Sequence, residues 1–192
     1  MIDAGDIAAI LLAAGGSRRF GSDDKLLASL DGEPLALHAA RRIAELAPGR
    51  RIAVCHDRDS ELAQHLAALG FDIIANPNTE RGLSRSLACG IAEAAQGHET
   101  AALVCLADMP FIGIDHLRNL LAQFDRTDAP VVASTDGEVA MPPALFARSL
   151  FDRLREGEGD RGGKALLKDA ALVRASANEL ADVDRPNDLH RG

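Results

Sequence analysis

The chain has no tryptophan and no tyrosine, and its six phenylalanines are scattered along 192 residues. Proteins that hold single-stranded nucleic acid stack its bases on aromatic rings, so a base-stacking platform is not expected. Positive charge is also in short supply: 21 Lys and Arg stand against 29 Asp and Glu, a formal net charge of −8. Broad nucleic-acid binding needs a basic face and is excluded on this count. A small phosphorylated ligand needs only a local basic cluster and stays open. No apolar run approaches the roughly 20 residues that span a bilayer, so no membrane association is expected. Cysteine is sparse: Cys55, Cys89 and Cys105 are widely spaced and form no CxxC pair, which argues against a disulfide framework and against a zinc site. All three lie in apolar segments, where a thiol acts as a small hydrophobe. The opening Met1-Ile2-Asp3-Ala4-Gly5-Asp6 lacks the basic region and cleavage site of a signal peptide, so a cytoplasmic location is expected. There is no internal repeat, linker or low-complexity tract.

What is present is an apolar fraction of 47%, ordinary for a globular chain, over a length that suits a single domain spanning residues 1–192. Short apolar runs alternate with helical ones. Strands are expected at Ile7–Ala13, Arg51–Cys55, Asp72–Ala75, Ala101–Leu106 and Pro130–Ser134. Helices are expected at Leu35–Leu46, Ser60–Leu69, Leu83–Ala95 and Ile114–Phe124. After Ser134 the pattern is less regular: a helix over Leu145–Leu154, a Gly-rich loop at Gly157–Gly163, a strand at Ala171–Ala175 and a last short helix opened by Arg185-Pro186. The alternation predicts an α/β fold with a mostly parallel sheet between two helical layers. Ligands of such folds sit at the carboxyl edge of the strands.

The first strand runs into Leu12-Ala13-Ala14-Gly15-Gly16-Ser17-Arg18-Arg19-Phe20-Gly21-Ser22-Asp23-Asp24-Lys25. The glycines let successive amides converge on an anion, and Ser17, Arg18, Arg19 and Lys25 add a hydroxyl and positive charge. A triphosphate would fit here. A Walker A loop would need Lys and Ser/Thr directly after Gly21, where Ser22 and Asp23 stand, and Ser17 occupies the second glycine of a dinucleotide fingerprint. Further along, Asp108 in Ala107-Asp108-Met109-Pro110 follows a strand and points a carboxylate at the same crevice. Asn76-Pro77 precedes Gly82-Leu83-Ser84-Arg85-Ser86-Leu87, whose free amides and hydroxyls at a helix start suit a polar ligand. The C-terminal part carries Gly159-Asp160-Arg161-Gly162-Gly163 and Asp182-Val183-Asp184-Arg185-Pro186-Asn187-Asp188-Leu189.

Taken in order, these segments resemble the MobA/MocA-like nucleotidyltransferases, which include the molybdenum-cofactor guanylyl- and cytidylyltransferases. The opening is similar to that family's L-A-A-G-x-S-x-R-x-G…K-L-L, with three residues rather than the usual two between Gly21 and Lys25. The later segments are similar to its N-x…G-x-x-x-S-L, D-M-P, G-D-x-G and D-[IV]-D-T-P-x-D-L, with Arg185 in place of Thr. Ala140 stands where many cytidylyltransferase relatives have a second glycine in G-x-x-G-x-P.

The resemblance implies a three-layer Rossmann-like fold of the nucleotide-diphospho-sugar transferase type. It implies transfer of a nucleotidyl group from an Mg²⁺-bound NTP to a phosphorylated small molecule. The residues implied for catalysis are Arg19, Lys25 and Asp108; for the metal, Asp108 and Asp184. For the nucleotide they are Leu12, Ala13, Ala14, Gly15, Gly16, Ser17, Asn76, Gly82, Ser84 and Ser86, and for the acceptor, Asp160 and Arg161. In the family L-A-A-G tends to accompany cytidine, so Ala14 implies CTP, molybdopterin as acceptor, and a molybdoenzyme client for the product. GTP as donor, another phosphorylated acceptor such as a sugar phosphate or phospholactate, and a non-catalytic nucleotide-binding chaperone are the alternatives. The six histidines are scattered and read as surface or structural.

Overall fold

The computed structural model describes residues 2–15, 24–78, 82–156, 162–185 and 188. Strand β1 (Ile7–Ala13) lies near the middle of a seven-stranded sheet, where all seven residues are buried. Both faces of a central parallel strand are covered, so it reads as a continuous apolar run rather than an alternation. β1 pairs in parallel with β4 (Arg50–Cys55) and with β6 (Ala101–Leu106), and β4 pairs with β5 (Asp72–Ala75). Beyond β6 come β8 (Ala140–Ala147), β7 (Val131–Thr135) and β9 (Ala171–Arg174), giving the order β5-β4-β1-β6-β8-β7-β9. A short hairpin, β2 (Ser29–Leu30) with β3 (Glu33–Pro34), turns through Asp31 and Gly32 at positive φ and stands apart from the main sheet.

The two helical layers follow from the alternation of β1. Ile7, Ala9, Leu11 and Ala13 pack with α1 (Leu35–Leu46), α2 (Glu61–Ala68) and α4 (Ile114–Arg126). Ala8, Ile10 and Leu12 pack on the other side with α3 (Leu83–Ala94), α5 (Phe151–Glu156) and α6 (Gly162–Leu167). α3 comes very close: a Cβ built on Gly90 would stand 2.5 Å from Ile10 Cγ2 and 3.2 Å from Val54 Cγ2. Only glycine lets that helix lie so near the sheet. Cys55 and Cys105 are buried and free. Burial lifts the Cys105 thiol to about 12, and burial with the Asp24 charge lifts Cys55 to about 11. Thiols held protonated in this way are packing groups, inert as nucleophiles.

The sequence expectation differs from the structure in one region. The helix expected over Leu145–Leu154 is instead the end of strand β8, a 3-10 turn over Arg148–Leu150 and then α5. β8 slots antiparallel between β6 and β7, so it is its N-terminal end that reaches the carboxyl edge of the parallel strands. Pro142-Pro143 would ordinarily forbid a central strand. Here the pairing skips them at a bulge, running from Ser134↔Met141 to Ala133↔Ala144. α6 begins at Gly162, inside the stretch expected to be loop. Among the described residues no helix is long and apolar enough to cross a membrane.

Candidate active site

At the carboxyl edge β1 ends in Leu12, Ala13 and Ala14, whose side chains are 4–5% exposed. Leu12 and Ala14 pack in the α3-side core with Leu87. What this segment can offer a ligand is therefore its backbone; a Cβ built on Gly15 would meet nothing within 4 Å among the described residues. The Leu12 carbonyl accepts from the Ala107 amide at 3.1 Å, which ties the end of β1 to the turn carrying Asp108.

Lys25 opens a 3-10 turn over Lys25–Leu27, and the Asp24 side chain caps that turn by accepting from the Leu26 amide. Its ammonium donates to Asp108 Oδ2 at 2.8 Å and to Asp184 Oδ1 at 3.3 Å. The side chains are 13%, 25% and 45% exposed, so Lys25 is the most sheltered member and the Lys25–Asp108 pair is the less screened of the two. Burial opposes the Lys25 charge. Hydrogen bonding and attraction from Asp108, then from Asp184, outweigh it and raise the pKa, so the group is a fixed cation.

The C-terminal segment docks onto this pair. The Val183 amide donates to the Asp108 carbonyl at 2.9 Å, and the Val183 side chain is fully buried. Asp188 Oδ2 accepts from the amides of Asp184 and Arg185, at 3.2 and 2.9 Å, and holds the turn behind Asp184. Asp182 lies close enough to matter electrostatically: burial, then the charges of Asp184 and Asp108, push its carboxyl above the usual range.

The other predicted nucleotide contacts form a second group at the start of α3. Asn76 is 2% exposed, its amide Nδ2 donates to Ser86 Oγ at 2.9 Å, and its Oδ1 accepts from the Asn78 amide at 3.3 Å. Asn76 and Ser86 are thus spent largely on each other and shape the loop entering α3. Gly82 caps α3 at φ 77° and ψ −177°, a conformation essentially restricted to glycine. Ser84 is buried in the first turn. Beside this group a cavity of about 250 Å³ opens between β1, β6, β8, α3 and α6, with Leu12, Leu83, Leu106, Met141 and Lys164 in its lining. Gly16, Ser17, Arg19, Asp160 and Arg161 lie outside the described residues.

Sequence reasoning brought Lys25, Asp108 and Asp184 to one place and passed over Asp24, Asp182, Val183 and Asp188 as working residues. The D-x-D spacing of Asp182 and Asp184 and the position of Asp24 just before Lys25 were the available signals.

Residues 9–177 match the MobA-like NTP transferase domain, and the chain belongs to that nucleotidyltransferase family. Among its relatives, a molybdenum cofactor guanylyltransferase of Shewanella baltica is 31% identical over 150 residues, 78% of this chain and 73% of that protein. The bifunctional protein GlmU of Sphingopyxis alaskensis is 33% identical over 148 residues, 76% of this chain and only 32% of that larger protein. Among solved structures, Rv0371c from Mycobacterium tuberculosis has the same fold, with a TM-score of 0.83 at 22% identity over 96% of each chain. A second structure of Rv0371c, in complex with manganese, matches with a TM-score of 0.76 at 19% identity, again over 96% of each chain.

Proposed function

We propose that the chain transfers CMP from Mg²⁺-bound CTP to the terminal phosphate of molybdopterin and releases pyrophosphate. The observation that carries this reading is the meeting of Lys25, Asp108 and Asp184 at the carboxyl edge, next to the end of β1, where the Ala107 amide is bonded to the Leu12 carbonyl. A phosphate oxygen of the acceptor attacks the α-phosphorus in line, the new P–O bond forms as the bond to the β-phosphate bridge breaks, and pyrophosphate departs. The acceptor phosphate is already ionised near neutral pH, with a second pKa of about 6, so no general base is required. Such chemistry rests on alignment and charge neutralisation.

The donor set fits a hard divalent cation. Two carboxylate oxygens from distant parts of the chain already converge on one positive centre, the Lys25 ammonium, and oxygen ligands are what Mg²⁺ selects. Asp108 and Asp184 are the residues that would hold it, and a bound Mg²⁺ would neutralise triphosphate charge. Lys25 and Arg19 counter the charge that grows on the transferred and leaving groups. The segment Leu12 through Ser17 is assigned to the phosphates, and Asn76, Gly82, Ser84 and Ser86 to the base and ribose. Asp160 and Arg161 are assigned to the acceptor from the sequence, and the cavity beside Leu106 and Met141 offers room for its ring system. A molybdoenzyme is then the client for the product.

The choice of CTP rests on Ala14, the second alanine of Leu12-Ala13-Ala14-Gly15, because in the family L-A-A-G tends to accompany cytidine. The methyl group is packed in the α3-side core, where it sets how closely the backbone at the end of β1 approaches α3. A second reading, GTP as donor, is favoured by the similarity to molybdenum cofactor guanylyltransferase. Pyrophosphate release with Mg²⁺ and each of CTP, GTP, ATP and UTP, with and without molybdopterin, decides between them. Release only with CTP plus molybdopterin supports the first reading, and release only with GTP supports the second. Silence with all four, despite nucleotide binding, points to another phosphorylated acceptor or to a binding module.

A further inference from the structure

Lys25 stands where a metal would stand. Its ammonium nitrogen is 2.8 Å from Asp108 Oδ2 and 3.3 Å from Asp184 Oδ1, and a magnesium ion bound by either oxygen needs a separation of about 2.0–2.1 Å. An ion that took both of these oxygens would compete with the ammonium for its place between them, and the two cations would repel each other. We propose that Lys25 is a place-holding cation that keeps the Asp108–Asp184 pair neutralised until a divalent ion arrives, and that its displacement delivers the ammonium to the triphosphate. This rests on the assignment of those two carboxylates to the metal.

The chemistry of lysine suits two stations. Its charge is a compact point on a flexible four-carbon stem with rotatable donors, so it can leave one anion for another without rebuilding a planar fork as arginine would. The backbone on either side is held: Asp24 caps the turn that Lys25 opens, and the Val183 amide keeps Asp184 against Asp108. Motion of the side chain alone makes the exchange, and the carboxylates stay in place. Lys25 sets a positive charge between two neighbouring carboxylates, alongside Asp182, which already feels both. The device has two consequences. The nucleotide-free protein binds the metal weakly, because an internal cation must first be moved. The same event that seats the metal also frees a positive charge for the phosphates, so the two neutralising charges arrive together.

The chain has only three lysines, Lys25, Lys164 and Lys168, which makes the exchange directly readable. Nucleotide-free protein is titrated with Mn²⁺ and followed by electron paramagnetic resonance, comparing wild type with K25Q and K25R. In parallel, acylation of each lysine by an amine-reactive reagent is followed by mass spectrometry with and without Mn²⁺. The expected result is Mn²⁺ affinity stronger by on the order of tenfold in K25Q, unchanged or weaker affinity in K25R, which keeps the charge, and faster acylation of Lys25 once Mn²⁺ is bound. Equal Mn²⁺ affinity in wild type and K25Q, or Lys25 acylation indifferent to bound Mn²⁺, overturns the place-holder while leaving the metal assignment standing. No Mn²⁺ binding even in K25Q, where the Lys25 ammonium no longer competes, overturns both.

Discussion

The backbone amide of Val183 donates to the carbonyl oxygen of Asp108 at 2.9 Å. This bond joins the C-terminal segment to the turn after β6, so that Asp184 and Asp108 share the ammonium of Lys25. The carboxylates themselves should carry the metal-dependent step. Asp108→Asn should lower the rate of pyrophosphate release by on the order of a hundredfold or more, because a charge aimed at the reacting phosphates is lost. Asp184→Asn, at the more exposed position, should lower it less. Steady-state rates across a range of Mg²⁺ concentrations test the order; equal, small effects of both would count against the site.

Asn76 and Ser86 form a buried polar pair at the mouth of α3. Ser86→Ala leaves the Asn76 amide without that acceptor in a buried place and should cost about 1–3 kcal/mol. Denaturant unfolding measures the cost, and a nucleotide-binding titration on the same variant should show weakened affinity as the loop loosens.

Gly90 is where α3 touches the sheet. Gly90→Ala should destabilise the protein by about 1–3 kcal/mol, since Ile10 and Val54 are both fully buried and have little room to yield. The intrinsic helix preference of alanine works the other way by up to about 1 kcal/mol. An unfolding midpoint above that of wild type would show that α3 can move away from β1.

Ala14→Gly should relax the preference between CTP and GTP, because it removes a buried methyl group from the α3-side core and loosens the backbone at the end of β1. Competition between the two nucleotides in one assay gives the ratio directly. If that ratio is the same in the variant and the wild type, the base is chosen elsewhere.

His116 is buried, and its ring Nε2 lies 2.7 Å from Ser134 Oγ. Ser134 gives its own proton to the Pro143 carbonyl at 2.7 Å, so the ring nitrogen is the donor. Burial lowers the His116 pKa from 6.5, partly offset by the charge of Glu179. The folded protein therefore takes up its proton less readily than the unfolded chain, and stability present above 6.5 is lost as the pH falls below it. Comparing unfolding free energies at about pH 7.5 and about pH 5.5, the drop should be larger in wild type than in His116→Asn; equal drops would assign the acid sensitivity to other groups.

Much of the fold is legible along the chain because parallel strands buried on both faces announce themselves as apolar runs. Ile7–Ala13 and Ala101–Leu106 are such cases. β8 is the counterexample. Leu145, Phe146, Leu150 and Leu154 stand at spacings a helix would also use, and Pro142-Pro143 reads as a breaker. Only pairing with β6 on one side and a bulged β7 on the other draws this segment into the sheet.

Sequence alone determined the alternation of strands and helices, the glycine loop after β1 and the motifs that mark the family, since these depend on local periodicity and on residue types at short spacing. Tertiary structure alone decided that Lys25 spans Asp108 and Asp184, that Asn76 pairs with Ser86, and that the Val183 amide holds the two halves of the site together. The contacts of Lys25 and Val183 join segments far apart in sequence, and that of Asn76 spans ten residues; neither kind of hydrogen bond leaves a periodicity for a linear reading to find.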